Sequence, residues 1–266
     1  MINKVIVAMR KLSLITIHLN DLQGLVRTLD SIEVQAGLAV EEIEWIVIDG
    51  KTAGFEESEA FAKVKAKANV LISENDKGIY DAMNKGIQFA TGRYCLFLNA
   101  GDVLGEFDTL AKILNHLCKN DLDVIFGAAW EGTTLESMRL KRCRDLHYIS
   151  YGLPTHHQAI VMRTDLVRHF GFRTDMKIAS DYLLVAQVLK MKGIRTAIID
   201  SPICKFFFGG ISTKAYWAGL KEQKIVRREV LGLNLVACTK IVVFKFATKM
   251  LKDITPRLYS LLRYSR

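Results

Sequence analysis

The sequence predicts an α/β fold in which a mainly parallel sheet is sandwiched between helices. Strand-like and helix-like segments alternate through the first half of the chain, as they do in such sheets. Polar and acidic residues follow the strand-like runs, where open α/β sheets bind their ligands. Hydrophobic residues make up 50% of the 266, so the chain can bury one large core, or one core with a smaller appendage.

Composition predicts the first elements in order. The apolar, β-branched run Leu12–Ile17 predicts strand one, and Leu22–Gln35 is helical in composition. Glu44–Ile48 predicts strand two, the polar, Ala/Lys-rich run Glu56–Ala68 predicts a helix, and Asn69–Ile72 predicts a brief third strand.

The clearest predicted helix follows strand three, because apolar or small residues recur there at three- and four-residue spacing. These residues are Ile79, Met83, Gly86, Ile87 and Ala90. Asp76 is a candidate N-cap, and Gly92 lies where a left-handed C-terminal cap is expected. Arg93–Leu98 then predicts a buried strand, Phe107–Lys119 a helix and Asp123–Gly127 another strand. After residue 130 the pattern loses its regularity.

The cysteines, the N-terminal stretch and the absence of linker-like runs bear on the compartment and the domain organisation. The five cysteines are odd in number and scattered, which fits a reduced compartment such as the cytoplasm. The N-terminal stretch MINKVIVAMRK lacks the extended apolar region and the cleavage site of a signal peptide. Neither an internal repeat nor a Ser/Gly-rich linker divides the chain into independent domains.

The net charge of +9 is confined to the C-terminal segment. Residues 1–213 contain 25 Lys/Arg and 25 Asp/Glu, whereas residues 214–266 contain 12 Lys/Arg and 3 Asp/Glu. A nucleic-acid enzyme more often spreads basic residues and interleaved aromatic residues over its binding face. The basic segment therefore predicts contact with an anionic membrane leaflet, and we expect no nucleic-acid partner.

The same segment has an amphipathic pattern. Apolar residues fall on one helical face: Val243, Ala247, Met250 and Ile254. Lysines fall on the opposite face: Lys245, Lys249 and Lys252. No charge-free run reaches the roughly 18 residues that a membrane span needs. Two interpretations stay open, an interfacial helix on an anionic leaflet and a helix packed on the main domain with a solvated lysine face.

The predicted strands of the first half end beside polar residues. In chain order these are His18 and Asn20, then Asp49, then Asp76, then Asn99 and Asp102. Parallel strands bring their carboxyl ends to one edge of the sheet. Acidic groups at that edge favour a metal or a sugar hydroxyl, because a bare diphosphate would be repelled without a cation.

Two rival enzyme classes lack their phosphate-binding loops here. The turn after strand one, HLNDLQG, has no G-x-G-x-x-G fingerprint of a dinucleotide-dependent oxidoreductase. It also lacks the Gly-rich basic loop with which a sugar nucleotidyltransferase would hold a triphosphate.

Six stretches carry a family resemblance: LSLITIHLN, EWIVIDG, SENDKGIYDAMNKGIQFATGRYCLFLNAGD, THHQAIVMRTDL, IASDYLL and GGIS. They lie between residues 12 and 213, and the long central stretch is highly specific. The chain resembles glycosyltransferase family 2, the inverting enzymes of GT-A fold, and within it the small bacterial transferases of colanic-acid-like polysaccharide biosynthesis.

The resemblance implies a domain organisation. Residues 1–213 would form a GT-A catalytic domain, with a nucleotide-binding half at about 12–128 and an acceptor half at about 129–213. Residues 214–266 would form a basic, amphipathic helical extension.

The implied reaction is metal-assisted, inverting hexosyl transfer in bacterial surface polysaccharide biosynthesis. The donor would be a sugar on a nucleoside diphosphate of UDP or GDP type, the acceptor a glycan or a lipid-linked molecule, and the cofactor Mn²⁺ or Mg²⁺. We expect the protein in the cytoplasm, with peripheral contact to the inner face of the membrane. The alternative function is a catalytically degenerate protein that binds a nucleotide sugar or scaffolds a membrane complex.

The resemblance assigns His18, Asn20, Asp49 and Asp76 to the nucleotide. Asp49 matches the family position that contacts the base or the ribose, where a carboxylate accepts hydrogen bonds. Alternatively, Asp49 caps the turn that it forms with Gly50. Asp76 would meet the ribose or hold a nearby basic group, and either role is compatible with an N-cap.

The predicted metal ligands depart from the family pattern. Most relatives carry Asp-x-Asp after the central strand, whereas this chain has Asn99-Ala100-Gly101-Asp102. Asn99 and Asp102 are the candidate ligands, because diphosphate and water can complete the shell of a hard cation. Alternatively, Gly101 and Asp102 form only a loop turn.

Asp181, in IASDYLL, matches the family's catalytic base. Such a base removes the proton of the acceptor hydroxyl as the hydroxyl attacks the anomeric carbon. Alternatively, Asp181 is the N-cap of a helix Tyr182–Lys190, although Ser180 could cap it equally well.

Two further segments match substrate-binding positions of the family. His157 and Gln158 would line the acceptor and donor-sugar side, or else form part of a polar surface. Gly210 and Ser212, with Gly209, would let the backbone approach the diphosphate, although a Gly-Gly pair also suits an ordinary turn.

Overall fold

One mixed sheet organises the described part of the chain. The computed structural model describes residues 11–37, 42–209 and 216–255. The strands are β1 (Leu12–His18), β2 (Ile43–Asp49), β3 (Val70–Ser73), β4 (Tyr94–Phe97), β5 (Val103–Leu104), β6 (Val124–Gly132), β7 (Arg139–Lys141), β8 (Ile160–Arg163) and β9 (Thr196–Phe207). The helices are α1 (Leu22–Glu33), α2 (Glu59–Lys67), α3 (Ile79–Phe89), α4 (Thr109–Lys119), α5 (Thr164–Phe170), α6 (Ser180–Lys190), α7 (Tyr216–Glu229) and α8 (Leu235–Ile254).

The strand order is β3-β2-β1-β4-β8-β6-β9-β5, and β7 pairs with β6. The first four strands in this order are parallel, whereas β8 runs antiparallel to both β4 and β6. The register aligns His18 with Asp49 and Asp49 with Ser73, so β1, β2 and β3 end at one level of the sheet. Parallel neighbours of this kind require helical crossovers, and the predicted α/β class is confirmed.

Helices cover both faces of the sheet. Every residue of β1 is buried. Leu12 and Leu14 belong to the core that α1, α2 and α4 close, and Ile15 and Ile17 belong to the core that α3, α5 and α6 close. A strand that is apolar on both faces fits only between two helical layers. The predicted sandwich of a sheet between helices is therefore also confirmed.

The end of α3 differs from the prediction. Its C-cap is Ala90, in an extended conformation, and Gly92 does not adopt a left-handed conformation. The N–H of Gly92 instead donates to Ser13 Oγ at 2.9 Å and to Glu44 Oε1 at 3.0 Å. A Cβ at this position would lie 2.7 Å from the backbone nitrogen of Ser13. Glycine is needed here for the close approach of two chain segments and not for a helix cap.

Two predicted N-caps are wrong. The N-cap of α3 is Gly78, and Asp76 accepts a hydrogen bond of 2.8 Å from the Gly78 N–H. Helix α6 begins at Ser180, earlier than predicted, with Ala179 as its N-cap, so neither Ser180 nor Asp181 caps it.

A residue from another helix takes over the cap of α6. Glu222 of α7 accepts hydrogen bonds of 2.8–2.9 Å from the N–H groups of Lys177, Ile178 and Ala179. A carboxylate at a helix N-terminus satisfies unpaired donors and stabilises the helix dipole. This contact fixes α7 against the segment that leads into α6.

Helix α8 turns an apolar face outward. Its exposed large apolar residues are Leu235, Val236, Val243, Phe244, Phe246, Met250 and Ile254. On the inner face, Cys238 and Ile241 are buried, and Lys245 Nζ donates to Gln223 Oε1 of α7 at 2.5 Å. The interpretation with a solvated lysine face is therefore wrong for Lys245. Within the described ranges, no helix is long and apolar enough to cross a membrane.

Candidate active site

A cavity of about 910 Å³ lies at the carboxyl ends of β1 and β4 and extends to α7 and α8. Its walls include most of the predicted site residues: His18, Asp76, Asn99, Asp102, His157, Gln158, Asp181 and Gly209. Asn20 and Asp49 are not part of the lining. Gly210 and Ser212 lie outside the described residues.

Asp102 is a buried carboxyl held by an amide. Its Oδ2 accepts a hydrogen bond of 2.8 Å from Gln158 Nε2, and burial raises the pKa of Asp102 to about 7. The hydroxyl of Thr28, on α1, donates to the backbone carbonyl of Asp102 at 2.7 Å and accepts from the Gly101 N–H at 3.1 Å. The loop is therefore fixed from α1, and Gly101 supplies its left-handed residue at φ 93°.

Asn99 offers a second oxygen beside Asp102. Its Oδ1 is buried and has no hydrogen-bond partner among the described residues. An unsatisfied buried acceptor costs about 1–3 kcal/mol, and a cation or a ligand donor would satisfy it. In the described parts of the chain, no group of three or more His, Cys, Asp or Glu side chains could hold a metal. Asn99 and Asp102 fit a hard cation whose shell a diphosphate and water complete.

His18 and Asp49 form a buried pair at the ends of β1 and β2. His18 Nε2 lies 3.2 Å from Asp49 Oδ1, and the ring packs edge-on against Phe55 at 4.7 Å between centroids. Burial lowers the pKa of His18, so the imidazole is neutral at pH 7. Asp49 accepts from the Thr52 N–H at 3.0 Å and from Ser73 Oγ at 2.7 Å. Asp49 thus caps its turn and lies beside His18, whose two ring nitrogens have no hydrogen-bond partner among the described residues, and its contact with a nucleotide stays a prediction.

The neighbouring wall contains Asp76 and Asp21. Asp76 Oδ2 lies so close to Gly50 that a Cβ there would be 2.4 Å from it. Asn20 is exposed in a left-handed conformation, with φ of 56°. Asp21 lines the cavity and caps the N-terminus of α1. The polar group that β1 delivers to the cavity beyond His18 is therefore Asp21 and not the predicted Asn20.

Asp181 lies at the start of α6 with three polar neighbours. Its Oδ1 accepts from Tyr80 Oη at 3.2 Å and from the Tyr182 N–H at 2.7 Å, and its Oδ2 lies 3.5 Å from His157 Nδ1. Burial raises the pKa of Asp181 and lowers the pKa of His157. An aspartate with a raised pKa is a stronger base than an ordinary one, which suits proton removal near neutral pH.

The cavity-lining side chains that sequence analysis did not place at the site include Asp21, Arg27, Tyr80 and Lys245. Asp21 could have been found, because it closely follows a predicted strand, as the other strand-end residues do. Arg27 lies on α1 with its guanidinium 5.5 Å from the ring centroid of Phe207, a residue far away in sequence. Tyr80 and Lys245 reach the cavity through helix packing, for which the local sequence carries no signal.

Comparison with known proteins supports the resemblance that the sequence stretches carry. The model of the family described as Glycosyl transferase family 2 matches residues 13–171. A PGL/p-HBAD biosynthesis glycosyltransferase of Mycobacterium tuberculosis is 27% identical over 205 residues, which cover 75% of this chain and 78% of the relative.

Solved glycosyltransferases share the fold. TarS 1–349 of S. aureus in complex with UDP-GlcNAc is similar with a TM-score of 0.66 and 17% identity, over 94% of this chain and 75% of TarS 1–349. The mannosyltransferase PcManGT from Pyrobaculum calidifontis, in complex with GDP-Man and Mn²⁺, is similar with a TM-score of 0.58 and 18% identity. That match covers 84% of this chain and 63% of PcManGT.

Proposed function

The chain belongs to glycosyltransferase family 2 and is a nucleotide-sugar-dependent glycosyltransferase, and from this premise we propose that it transfers a hexosyl group with inversion in a single displacement. One observation carries the proposal: Asp102 and Asp181 line the same cavity. Gln158 binds Asp102, and the adjacent His157 faces Asp181. A donor diphosphate at Asp102 and an acceptor hydroxyl at Asp181 would therefore meet in one space.

Asp181 acts as the general base. The acceptor hydroxyl attacks the anomeric carbon on the face opposite the departing nucleoside diphosphate, and its proton must be removed. Tyr80 Oη and the Tyr182 N–H hold Oδ1 of the carboxylate. Oδ2 is left beside His157 to accept the proton, and the lowered pKa of His157 keeps that ring neutral.

Asn99 and Asp102 would hold Mn²⁺ or Mg²⁺, which when bound supplies the positive charge that stabilises the leaving diphosphate. Gln158 fixes the orientation of the Asp102 carboxyl through its amide. Thr28 keeps the backbone of the 99–102 loop in place.

The nucleotide would lie on the wall that the ends of β1 and β2 build. The Asp76 carboxylate is suited to accept ribose hydroxyl hydrogen bonds, with Asp21 beside it. His18 faces the base and is supported from behind by Asp49. Asn20 is exposed outside the cavity lining and its N–H donates to Thr52 Oγ1 at 2.9 Å, so Asp21 takes the nucleotide contact that was predicted for Asn20.

Similar proteins support the class of donor and acceptor. The structures of TarS and PcManGT contain UDP-GlcNAc and GDP-Man, which supports a UDP- or GDP-type donor here. The Mn²⁺ in PcManGT supports a divalent cofactor. The biosynthetic role in the mycobacterial relative's name supports a glycan or lipid-linked acceptor in bacterial surface polysaccharide biosynthesis. Gly210 and Ser212, with Gly209, would contact the diphosphate.

We further propose that residues 1–213 form the catalytic domain and that residues 214–266 bind the inner face of the cytoplasmic membrane. The exposed apolar face of α8 and an exposed Trp217 support this, together with the basic charge of the segment. Sedimentation with vesicles tests it: binding to phosphatidylglycerol vesicles and not to phosphatidylcholine vesicles is expected. A Val243→Asp/Phe246→Asp variant should not sediment, and equal sedimentation would contradict the proposal.

Donor turnover tests the proposed reaction. A panel of UDP- and GDP-sugars is incubated with Mn²⁺, and the release of nucleoside diphosphate and the melting temperature are measured. At least one donor should raise the melting temperature only with the cation present and should be turned over. Asp102→Ala should lose both effects, whereas Asp181→Ala should lose turnover and keep donor binding. Donor binding without turnover in the wild type would favour the degenerate binding protein instead.

A further inference from the structure

Lys245 brings a partly buried side-chain amine from α8 into the cavity. It lines the cavity together with Gln223 and Tyr148, and its Nζ donates to Gln223 Oε1 at 2.5 Å. Gly152 lies beside it, because a Cβ added there would be in ordinary contact with Nζ at 3.5 Å. The C-terminal segment, for which sequence analysis predicted no part in the site, therefore contributes a side chain to it.

Two guanidinium groups surround Lys245. Arg227 is fully buried, and its Nη2 donates at 3.0 Å to the same Gln223 Oε1 and to the carbonyl of Tyr151. Arg227 Nη1 is buried and has no hydrogen-bond partner in the described part of the chain. Arg144 stacks over the ring of Tyr148 at 4.1 Å.

Among the described residues, no carboxylate balances the positive charge of this cluster. Within residues 11–37, 42–209 and 216–255, the groups that shift the pKa values of Lys245 and Arg227 include no carboxylate. Burial, with the charges of Arg227 and Arg144 added, lowers the pKa of Lys245 to about 7. A buried charged side chain normally has a partner of opposite charge, because burying an unpaired charge costs free energy. Lys245 lines the cavity, and Arg227 and Arg144 lie behind it and add their positive charge, an arrangement that suits the binding of an anion.

The cluster lies on the acceptor side of the predicted base. Tyr182, the residue after Asp181, donates its hydroxyl to the carbonyl of Ile149 at 2.6 Å. The next two carbonyls along that turn accept hydrogen bonds from Arg227. On the donor side, His157 faces Asp181. Asp181 is therefore connected to the proposed diphosphate site through His157 and Gln158, and to the basic cluster through Tyr182 and the turn that Arg227 binds.

We infer that Lys245, with Arg144 and Arg227 behind it, binds a phosphate ester group carried by the acceptor. This rests on the proposed function, because the cluster is assigned to the acceptor through its position relative to Asp181. The two ends of the cavity then differ in charge. The acidic strand ends take an anion only through a cation, whereas the end formed by α7 and α8 binds an anion directly.

Titration calorimetry in EDTA tests the inference with geranyl phosphate and glycerol 3-phosphate as probes, and geraniol and glycerol as their uncharged counterparts. EDTA removes cation-mediated phosphate binding at Asp102. The wild type should bind at least one phosphate ester and neither alcohol. Lys245→Gln should weaken that binding about tenfold or more, because a hydrogen bond to a charged group is lost. Lys240→Gln, on the exposed side of the same helix, should not weaken it.

The preferred probe separates the two sources of phosphate: geranyl phosphate stands for a lipid-linked acceptor and glycerol phosphate for a polyol phosphate. Lys245→Met is a second variant, and thermal unfolding shows whether each variant is folded. Unchanged affinity in both folded variants, or no binding by the wild type, would overturn the inference. Failure of the proposed reaction is seen separately, as absent turnover of every nucleotide sugar while phosphate binding persists.

Discussion

The carboxyl of Asp102 and the side-chain amide of Gln158 are joined by a buried hydrogen bond of 2.8 Å. A neutral amide orients a carboxylate but does not neutralise its charge, and burial accordingly raises the pKa of Asp102 to about 7. A cation bound beside this pair would therefore stabilise the ionised form of Asp102. His157, the residue before Gln158, lies 3.5 Å from Asp181, so two adjacent residues contact both carboxyl groups of the proposed mechanism.

We predict that Asp102→Asn stabilises the metal-free protein at pH 8. The pKa of Asp102 is higher in the folded state than its ordinary value of 3.8, so folding binds a proton and wild-type stability falls as pH rises from about 4 to 7. The variant keeps the hydrogen bond to Gln158, and its stability does not fall in this way as the pH rises. Its free energy of unfolding in EDTA should exceed that of the wild type by up to about 4 kcal/mol at pH 8, and by nothing near pH 4.

Urea unfolding at several pH values measures this difference. Asp30→Asn, an exposed substitution in α1, is the matched control and should not change the pH dependence. A difference that stays constant from pH 4 to pH 8 would contradict a raised pKa at Asp102.

Asp181→Asn should reduce kcat by about 10²- to 10⁴-fold, which is the contribution of a positioned general base. The amide oxygen can still accept from Tyr80 and Tyr182, so the fold and the affinity for the donor should be retained. Steady-state release of nucleoside diphosphate and donor-induced thermal shifts measure the two effects. Asp175→Asn, at an exposed carboxylate paired with Arg173, is the control and should keep wild-type kcat. Full activity in Asp181→Asn would exclude this residue as the base.

The sequence predicted the site residues that lie at the ends of the parallel strands. His18, Asp76, Asn99 and Asp102 could be placed at one edge because parallel strands end together, and this placement needs only strand order and composition. Asp49 has the same position along its strand but a different environment. Its carboxylate is used up by Thr52 and Ser73, and such local competition for hydrogen bonds is not visible in a strand-end pattern.

The parts that the sequence did not predict depend on contacts between distant segments. Glu222 caps the entry to α6 from α7, so a local search for an N-cap could only choose the wrong residue. Lys245 follows the helical period of a lysine face, yet α8 packs with that lysine inward. Amphipathic periodicity shows which residues share a face of a helix. It does not show whether the apolar face or the basic face packs against the rest of the protein.

Gly92→Ala should destabilise the protein by about 1–3 kcal/mol, the usual cost of overpacking. The new Cβ would lie 2.7 Å from both Ser13 N and Ser13 Oγ, and these belong to a central strand that cannot move aside. Thermal unfolding gives the loss of stability. Gly152→Ala, whose Cβ would meet its nearest neighbour at an ordinary 3.5 Å, is the control. Equal melting temperatures for the two variants would contradict the need for a close approach at Gly92.

Tyr80→Phe should shift the pH dependence of transfer without abolishing it. The Tyr80 hydroxyl donates to Asp181 Oδ1 at 3.2 Å, and this hydrogen bond lowers the pKa of Asp181 against the larger, opposite effect of burial. Without it, the pKa of Asp181 rises further, so a higher pH is needed to obtain the basic form. The acidic limb of kcat/KM against pH should therefore move to higher pH, while the alkaline plateau falls much less than in Asp181→Asn.

Tyr94→Phe, at a hydroxyl that donates to the Leu122 carbonyl on another part of the sheet, controls for the loss of a buried hydroxyl and should leave the limb in place. An unshifted limb in Tyr80→Phe would mean that the tyrosine only packs against Phe172, which its ring stacks at 5.6 Å, and does not tune the base.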